Sequence, residues 1–256
     1  MYRASAPPCY SLNPSGNMFL YNDSLWLAER LKQHIRDHPS SRSKSQADIA
    51  ALSSFGKRAY GREMESQRTI LSDLLDGAQG FSNCTVAPFA QECDLAISST
   101  VGRLREVFGQ WQPVLSHSAL LQSLGSLLST VVHKIIVDIE DISDISEPES
   151  QRLTAFCNRV VSLEDLFLPQ RPGEPKETEQ ASVPLTAVYT PGWLKFQYLV
   201  NILESSLVDI KFLWEEGELG LEFEVEELVD LIEALFADSE YRRRAIGDIR
   251  RVSGSS

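Results

Sequence analysis

The sequence predicts an all-α protein, and three observations support this fold class. Apolar residues recur at intervals of three, four and seven along most of the 256 residues, which is the period of an amphipathic helix. Sustained alternation of apolar and polar residues, the pattern of a half-buried strand, is absent from the sequence. Several glycines and prolines fall between the apolar stripes, where helices begin and end. We therefore expect helices that pack through their apolar faces.

The composition is that of a globular protein with a substantial core. Hydrophobic residues make up 43% of the chain and charged residues 23%, close to the averages for soluble domains. The formal net charge of -12 opposes nucleic-acid binding, because such binding depends on lysines and arginines that displace counterions. We therefore expect protein partners and no nucleic acid.

Residues 1–168 are predicted to form one helical bundle. The chain opens with a polar lead that contains Pro7 and Pro8, which we do not assign to a helix. The first apolar stripe covers residues 20–35 and ends before Pro39, since proline cannot continue a helix. The first amphipathic helix of the bundle is therefore expected over this stripe.

Three longer stripes follow. One covers residues 49–74 and includes Gly56, which we interpret as a point of close helix approach, because glycine there costs about 1 kcal/mol relative to alanine. The next covers residues 93–108. The third covers residues 121–139, with Pro113 expected in its first turn. Its apolar face is the widest of the three, so this helix is predicted to be central to the bundle.

A capping box and a linker mark the end of this bundle. Ser146 and Glu149 have the spacing in which each side chain satisfies an amide at a helix start, and apolar residues continue to Leu163. Residues 169–186 are acidic and rich in proline, so they have little apolar surface to offset the entropy of ordering. We predict a flexible linker there.

Residues 187–256 are predicted to form a C-terminal helical subdomain. Thr190 and Pro191 are interpreted as a cap and a first-turn proline that start one helix from Trp193 to Trp214. Glycines then interrupt the pattern. A shorter helix is expected over residues 225–236, and Ser239 is placed to cap a last helix.

Cysteine spacing and hydropathy point to a cytoplasmic protein. Cys9, Cys84, Cys93 and Cys157 are scattered and form no CxxC pair, so neither a disulfide framework nor a zinc ribbon is indicated. No stretch approaches ~18 uninterrupted apolar residues, and no signal peptide is recognisable. We expect a reducing compartment and, at most, peripheral membrane association.

The sequence offers no clear carrier of catalysis or of a metal ion. His34 and His38 could face one another on a helix, but no third ligand follows them. His117 and His133 are isolated, and the carboxylates of residues 138–149 lack the spacing of a calcium loop. Walker, GxSxG, HExxH and GxGxxG motifs are absent. We predict a non-enzymatic chain without a cofactor or metal.

Two sequence features are candidates for partner binding. Trp214-Glu215-Glu216 is similar to acidic tryptophan motifs that dock into coat proteins, although a buried tryptophan is the simpler interpretation. Arg242, Arg243, Arg250 and Arg251, with Arg244 beside them, form a basic patch on an acidic chain. The alternative to a partner-binding surface is a solvated helix end. If the patch binds a partner, reversing Arg242 and Arg243 to glutamate should slow association and leave stability nearly unchanged.

Several segments together resemble the C-terminal region of the Zeste-white-ten family of kinetochore and vesicle-tethering proteins. No single motif is specific, but their order and spacing are. The segments are residues 1–4 and 17–23, Asp144-Ile145-Ser146, Arg152, Leu153 and Cys157, residues 188–193, Leu203, Ser206, Trp214, residues 234–236, Glu240, Arg242 and Ile249.

This resemblance implies an elongated helical-bundle rod of the multisubunit tethering-complex type. It implies a scaffold subunit of a Dsl-type complex in Golgi-to-endoplasmic-reticulum retrograde transport, peripheral on the endoplasmic reticulum membrane. The implied partners are a large α-solenoid subunit, bound through the C-terminal segment, and a second helical-rod tether, with SNAREs and coatomer as indirect partners. The alternatives are a kinetochore scaffold of the Rod and Zwilch type, localised there in mitosis, and, from another class, an α-helical hydrolase with a dispersed site. The long N-terminal coiled-coil region of this family has no counterpart in these residues.

Overall fold

A computed structural model describes residues 1–37, 42–168 and 183–253, and within them the fold is all-α. Helices account for nearly all regular structure in these ranges, and no strand occurs in them. The predicted fold class is therefore confirmed for the described residues. Its physical basis is the apolar stripe of each helix, which supplies most of the buried side chains.

The helices follow the predicted stripes closely in the first two thirds of the chain. Their bounds are α1 Tyr2–Tyr10, α2 Gly16–Asp37, α3 Arg42–Asp76, α4 Phe89–Trp111, α5 His117–Glu140, α6 Glu147–Val161, α7 Leu185–Tyr189, α8 Trp193–Glu204, α9 Leu207–Glu215, α10 Leu219–Glu222, α11 Val225–Leu235 and α12 Glu240–Ser253. Short 3₁₀ turns occur at Gln79–Phe81 and Ser162–Leu166.

The described chain divides into two compact units, which we call unit 1 and unit 2. Unit 1 comprises Met1–Ile70 and Arg105–Leu127, and unit 2 comprises Leu71–Leu104 and Leu128–Ser256. The helices α3, α4 and α5 each contribute residues to both units. This division does not test the predicted parts 1–168 and 187–256, which stay a prediction.

Unit 1 begins with a helix that the sequence did not predict. α1 contains Pro7 and Pro8, whose missing amides and ring clashes made a helix unexpected. Ala6 of this helix is buried in a cluster with Leu20 and Ala59, and three half-buried aromatic rings, Tyr2, Tyr10 and Phe55, pack around it. Burial of this apolar surface outweighs the local cost of the prolines, so a helix forms in a segment to which the sequence assigned none.

Gly56 marks a close helix approach in unit 1, as predicted. A Cβ atom at Gly56 would lie 2.8 Å from the Cβ atom of Ser24 and 3.2 Å from the carbonyl oxygen of Tyr21. Both residues belong to α2. The glycine is therefore needed because α3 passes too close to α2 for any side chain.

The helix α5 is long and apolar, and its wide apolar face is confirmed. Ten of its leucine, valine and isoleucine side chains are buried, from Leu120 to Ile139. By length and composition alone this helix could cross a membrane, but 61% of its most apolar window is buried inside the protein. This degree of burial is typical of a core helix in a globular protein. Pro113 lies in the turn before α5 and not, as expected, in its first helical turn.

The core of unit 2 lies where α6 and α8 pack together. α6 begins at the predicted capping box, in which the amide and hydroxyl of Ser146 donate to Glu149 Oε2 over 3.0 and 2.6 Å. Trp193 and Phe196 on α8 are fully buried, and their ring centroids lie 5.7 Å apart. The indole Nε1 of Trp193 donates to Glu164 Oε1 over 2.9 Å. The large aromatic core is thereby fixed in orientation.

The helix predicted from Trp193 to Trp214 is in fact two helices. α8 ends at Glu204, and Ser206 caps α9 by accepting from the Asp209 amide over 3.4 Å. The apolar pattern continues across the break, so periodicity alone could not reveal it. The start of α8 also differs: its N-cap is Gly192, which has a left-handed backbone (φ 80°), and not Thr190.

The structure describes only the end of the predicted linker. Residues 169–182 lie outside the described residues, so the flexible segment there stays a prediction. At its end, α7 begins at Leu185, inside the predicted range 169–186. The predicted cap at Ser239 is confirmed, because its hydroxyl accepts from the Arg242 amide over 3.1 Å at the start of α12.

Candidate protein-interaction surface

The predicted basic patch lies on α12, the last helix of unit 2. Ala245, Ile246 and Ile249 form the buried face of this helix. The arginines occupy the remaining positions, with Arg242 and Arg243 near its start and Arg250 and Arg251 near its end. Arg250 lies eight positions after Arg242, or about 12 Å further along the helix axis. The arginines therefore lie on one helix but form two groups, one near each end.

Arg242 caps the preceding helix rather than facing solvent. Its Nη1 donates to the carbonyl oxygens of Glu233 and Phe236 over 3.1 and 2.6 Å, and its Nη2 lies 3.3 Å from Asp238 Oδ1. The side chain is only 15% exposed. These carbonyls belong to the end of α11, where the last helical carbonyls lack intrahelical donors. Arg242 therefore has a structural role in joining α11 to α12.

The other predicted arginines are exposed but paired with carboxylates. Arg250 makes a two-point contact with Glu226 on α11, with Nε to Oε1 at 3.1 Å and Nη2 to Oε2 at 2.6 Å. Arg251 Nη2 lies 2.6 Å from Asp248, and Arg243 Nε lies 3.2 Å from Asp238. The hydrogen bonds from Arg250 lower the pKa of Glu226. The net charge of the patch is consequently much closer to zero than the arginines alone suggested.

A lysine from α9 completes the attachment of α12. Lys211 Nζ lies 2.6 Å from Asp248 Oδ2, and this hydrogen bond is the main reason that the pKa of Asp248 is lowered. The nearby charges of Arg251 and Arg244 lower it further. Charges on α12 thus hold the helix against α9 and α11, which is a role that sequence spacing could not reveal.

A second ion network joins three helices within unit 2. Lys195 Nζ on α8 lies 3.1 Å from Glu140 Oε1 on α5 and 2.9 Å from Glu227 Oε2 on α11. Burial alone would lower the pKa of Lys195, but hydrogen bonds to Glu227 and Glu140 outweigh it and raise the pKa. Burial raises the pKa of Glu140 despite the lysine. This network holds α11, to which Arg242 and Arg250 of α12 bind, against α5 and α8.

Asp94 performs the same role between α4 and α6. Arg152 donates to Asp94 Oδ2, and Arg159 Nη2 lies 2.8 Å from Asp94 Oδ1. Both guanidinium groups also contact the ring of Phe156, with 5.0 and 5.9 Å to its centroid. The aromatic ring and the carboxylate together hold the two arginines, which therefore act as ties between helices.

The tryptophan of the Trp214-Glu215-Glu216 segment belongs to the core. Trp214 is 8% exposed, so its indole is not available to dock into another protein. The exposed aromatic side chain on this helix is Phe212, which is 63% exposed, with Val208 one turn earlier on the same face. Sequence reasoning missed this apolar pair, although its spacing of four residues was a visible signal.

The candidate catalytic and metal-binding residues are not assembled into a site. His34, His117 and His133 are exposed, and His38 lies outside the described residues. The carboxylates of residues 138–149 serve separate purposes: Asp138 pairs with Lys134, Glu140 with Lys195, and Glu149 caps α6. Among the residues that the structure describes, no group of three or more potential ligands could hold a metal ion.

The cysteines have properties opposite to those of a catalytic nucleophile. All four are free thiols, and Cys84, Cys93 and Cys157 are buried. Burial raises the pKa of Cys157 to about 12 and that of Cys84 to about 11. Reactive cysteines have a lowered pKa and partial exposure, so the three buried thiols are structural, whereas Cys9 is exposed.

Comparison with known proteins identifies the family. The model of the ZW10 C-terminal helical domain matches residues 95–249, which is more than half of the chain. The centromere/kinetochore protein zw10 homolog of Rattus norvegicus is 28% identical over 199 residues, covering 77% of this chain and 25% of that protein. The Arabidopsis thaliana homolog is 25% identical over 244 residues, covering 92% and 32%.

The similarity extends to insects. The centromere/kinetochore protein zw10 of Drosophila melanogaster is 24% identical over 238 residues, covering 92% of this chain and 30% of that protein. The chain therefore spans about a quarter to a third of the length of these relatives. The family match begins within α4 and ends within α12, so it includes all of α5 to α11. The chain belongs to the ZW10 family and contains its C-terminal helical domain.

Proposed function

We propose that the chain is part of a non-enzymatic scaffold subunit of a Dsl-type tethering complex in Golgi-to-endoplasmic-reticulum retrograde transport. The observation that carries this proposal is the family match over residues 95–249. Those residues include the helices that Asp94, Lys195 and Lys211 tie together by ion pairs. A set of helices fixed in this way suits the display of a rigid surface to other subunits.

The arrangement of polar groups supports a scaffold over a hydrolase. A hydrolase with a dispersed site needs a histidine, a nucleophile and a carboxylate that meet in a cleft. His117 and His133 are instead exposed, and burial raises the pKa of the Cys84 and Cys157 thiols. We therefore assign no catalytic residue.

The proposed partners are proteins, and the proposed location is the cytoplasmic face of the endoplasmic reticulum. A large α-solenoid subunit and a second helical-rod tether would bind directly, whereas SNAREs and coatomer would be reached through them. The exposed arginines of α12, Arg243, Arg250 and Arg251, remain our proposal for a steering surface. Because each already faces a carboxylate, their contribution should be to the rate of association more than to affinity.

A kinetochore scaffold is the second candidate function. The relatives from rat, Arabidopsis thaliana and Drosophila melanogaster are named as centromere/kinetochore proteins. Both candidates need a non-catalytic helical surface that binds other subunits. The two therefore differ in partners and location rather than in the chemistry of this chain.

Affinity purification separates the two functions. The full-length protein, tagged at its own locus, is purified from interphase and from mitotic cells, and its location is followed by microscopy. We expect tether subunits and coatomer with an endoplasmic reticulum pattern in interphase. Recovery of kinetochore subunits alone, with location at kinetochores in mitosis, would replace the tethering proposal with the second candidate.

A further inference from the structure

A groove of about 560 Å³ lies within unit 2, between the start of α6, the turn from α8 to α9 and the end of α11. We call it the α6 groove. Its volume is in the range of binding sites rather than of packing defects. Its apolar lining consists of Ile145, Ile202, Leu203, Leu235 and Phe236.

The walls of the α6 groove are held in place by hydrogen bonds. The Ile145 amide donates to the carbonyl oxygen of Ala234 at the end of α11 over 2.8 Å. The Ser150 hydroxyl on α6 donates to the carbonyl oxygen of Leu203 on α8 over 2.6 Å. Because these bonds join all three walls, the groove exists before any ligand arrives, which lowers the cost of binding.

The rim of the groove has a negative charge that the protein does not neutralise. Glu147 and Glu204 are both exposed and line the groove. Within residues 1–37, 42–168 and 183–253 no ion pair joins either carboxylate to a cation, whereas Glu226 and Asp248 of the same unit are both paired. The rim therefore favours a cationic ligand and disfavours phosphate or another anion.

A buried hydroxyl in the groove also lacks a partner. Thr154 lines the groove and is 6% exposed, and its Oγ1 has no hydrogen-bond partner among the groups that the structure describes. An unsatisfied buried polar group is costly, and native proteins seldom leave one without a role. A ligand with a polar group at this depth would satisfy it.

We propose that the α6 groove docks a basic amphipathic helix from a partner subunit. A leucine-like side chain of that helix occupies the apolar lining, and flanking lysines or arginines face Glu147 and Glu204. A polar side chain beside the leucine forms a hydrogen bond with Thr154 Oγ1. Helix-in-groove recognition uses this combination of apolar anchors and a charged rim. The inference rests on the proposed scaffold function, because it supplies a site at which one subunit holds another.

The test uses a fluorescent helical peptide with leucines on one face and arginines on both flanks, titrated against the full chain by anisotropy. We expect Glu147→Lys with Glu204→Lys to weaken binding by about tenfold or more, because two attractive charges become repulsive. A second peptide, with glutamates in place of the arginines, should bind the Glu147→Lys, Glu204→Lys variant more tightly than wild type. This exchange of preference distinguishes an effect of charge pairing from an effect of altered folding.

Two control variants make the result specific to the groove. Glu216→Lys with Asp230→Lys makes the same change in net charge at exposed positions that do not line the groove, so it should leave binding within about twofold of wild type. Ser205→Trp fills the groove at a half-buried residue with an extended backbone and should abolish binding while the helical spectrum is unchanged.

Two results with the variants overturn the inference, as does a failure of the peptide to bind wild type. One is equal weakening by the groove reversal and the control reversal, since the peptide would then sense only net charge. The other is unchanged binding in folded Ser205→Trp. If tether subunits copurify with the full-length protein but the peptide does not bind, the groove inference fails and the scaffold function stands. If the peptide binds but no subunit copurifies, the scaffold function fails.

Discussion

Unit 1 and unit 2 use different polar contacts to join their helices. In unit 1, Asn17 on α2 donates to Glu63 on α3 over 3.0 Å, and the hydroxyls of Tyr60 and Ser123 lie 3.0 Å apart. Its exposed ion pairs of Lys32 and Arg36 with Glu29 stay within one helix. Unit 2 instead uses ion pairs between separate helices, such as Lys195 with Glu140 and Glu227, and Lys211 with Asp248.

The last five helices of unit 2 are also shorter than the two long helices of unit 1. α2 and α3 have 22 and 35 residues, whereas α8 to α12 have between 4 and 14. Helices shorter than about 12–15 residues are marginal on their own. The short helices of unit 2 therefore depend on contacts with their neighbours, and ion pairs between helices supply part of that stability. We therefore expect substitutions in these ion pairs to lower the stability of unit 2 more than similar substitutions lower the stability of unit 1.

The largest expected effect comes from the aromatic core of unit 2. Trp193→Ala should lower the free energy of unfolding by roughly 3–5 kcal/mol, because both apolar burial and a cavity are involved. Amide exchange should accelerate in α8 and α11 more than in α2. Phe236 is only half-buried and lines the α6 groove, so Phe236→Ala should cost less. Equal acceleration in both units would contradict the comparison.

The next effect concerns the Lys195 network. Lys195→Met keeps the apolar stem but leaves Glu140 and Glu227 without their cation, so we expect a loss of about 2 kcal/mol in urea unfolding. Lys32→Met in α2 is the matched control, because its pair with Glu29 is exposed and lies within one helix. The control should change stability by less than about 0.5 kcal/mol. Similar losses in both variants would remove the distinction between the two kinds of pair.

A smaller effect separates two adjacent arginines of α12. Arg242→Ala removes the cap on the end of α11 and should cost about 1–2 kcal/mol by chemical denaturation. Arg243→Ala, which removes an exposed pair with Asp238, should cost less than about 0.5 kcal/mol. We therefore revise the expectation that reversing both arginines leaves stability unchanged. If the two alanine variants are equally stable, the capping role of Arg242 is wrong.

The smallest effect is a difference in pH response. Burial and the charge of Asp23 raise the pKa of Tyr2 in unit 1 from 10.0 to about 12, so its contribution is present below pH 10 and is lost as the pH rises towards 12. The hydrogen bond from Lys211 lowers the pKa of Asp248 in unit 2 from 3.8. That contribution is present above pH 3.8 and is lost as the pH falls below it.

Denaturant midpoints measured across a range of pH test both the alkaline and the acid loss of stability. Tyr2→Phe should flatten the alkaline loss and leave the acid limb unchanged. Lys211→Met should flatten the acid loss and also part of the alkaline loss, because the hydrogen bond to Asp248 raises the pKa of Lys211. Tyrosine absorbance gives an independent measure, since one phenol should titrate at about 12 in wild type and be missing in Tyr2→Phe. If no phenol that titrates at about 12 in wild type is lost in Tyr2→Phe, Tyr2 is not held by Asp23.

Local signals in the sequence were sufficient for most of the helices. The stripes over residues 20–35, 49–74, 93–108 and 121–139 each lie within one helix, because periodic apolar residues specify a buried face. The cap at Ser146 was also recognisable, since it uses side chains only three residues apart. Signals of this kind depend only on residues close together along the chain, so they can be recognised in the sequence without the tertiary structure.

Other features depended on groups distant in the sequence. α1 forms despite Pro7 and Pro8 because Ala6 packs with Leu20 and Ala59. The exposure of the apolar pair on α9 and the shape of the α6 groove also depend on which sides of neighbouring helices are covered. Packing across tens of residues decides such features, and periodicity carries no information about it.

The sequence by itself determined the fold class, most helix positions and the family of this protein. Only the tertiary structure decided what the charges do. Arg242 and Arg250 belong to a basic patch in the sequence, yet in the fold Arg242 donates to carbonyl oxygens at the end of α11 and Arg250 pairs with Glu226 on α11. A charge acts through its distance to other charges and its exposure to water, and for groups on different helices those distances exist only after the helices have packed.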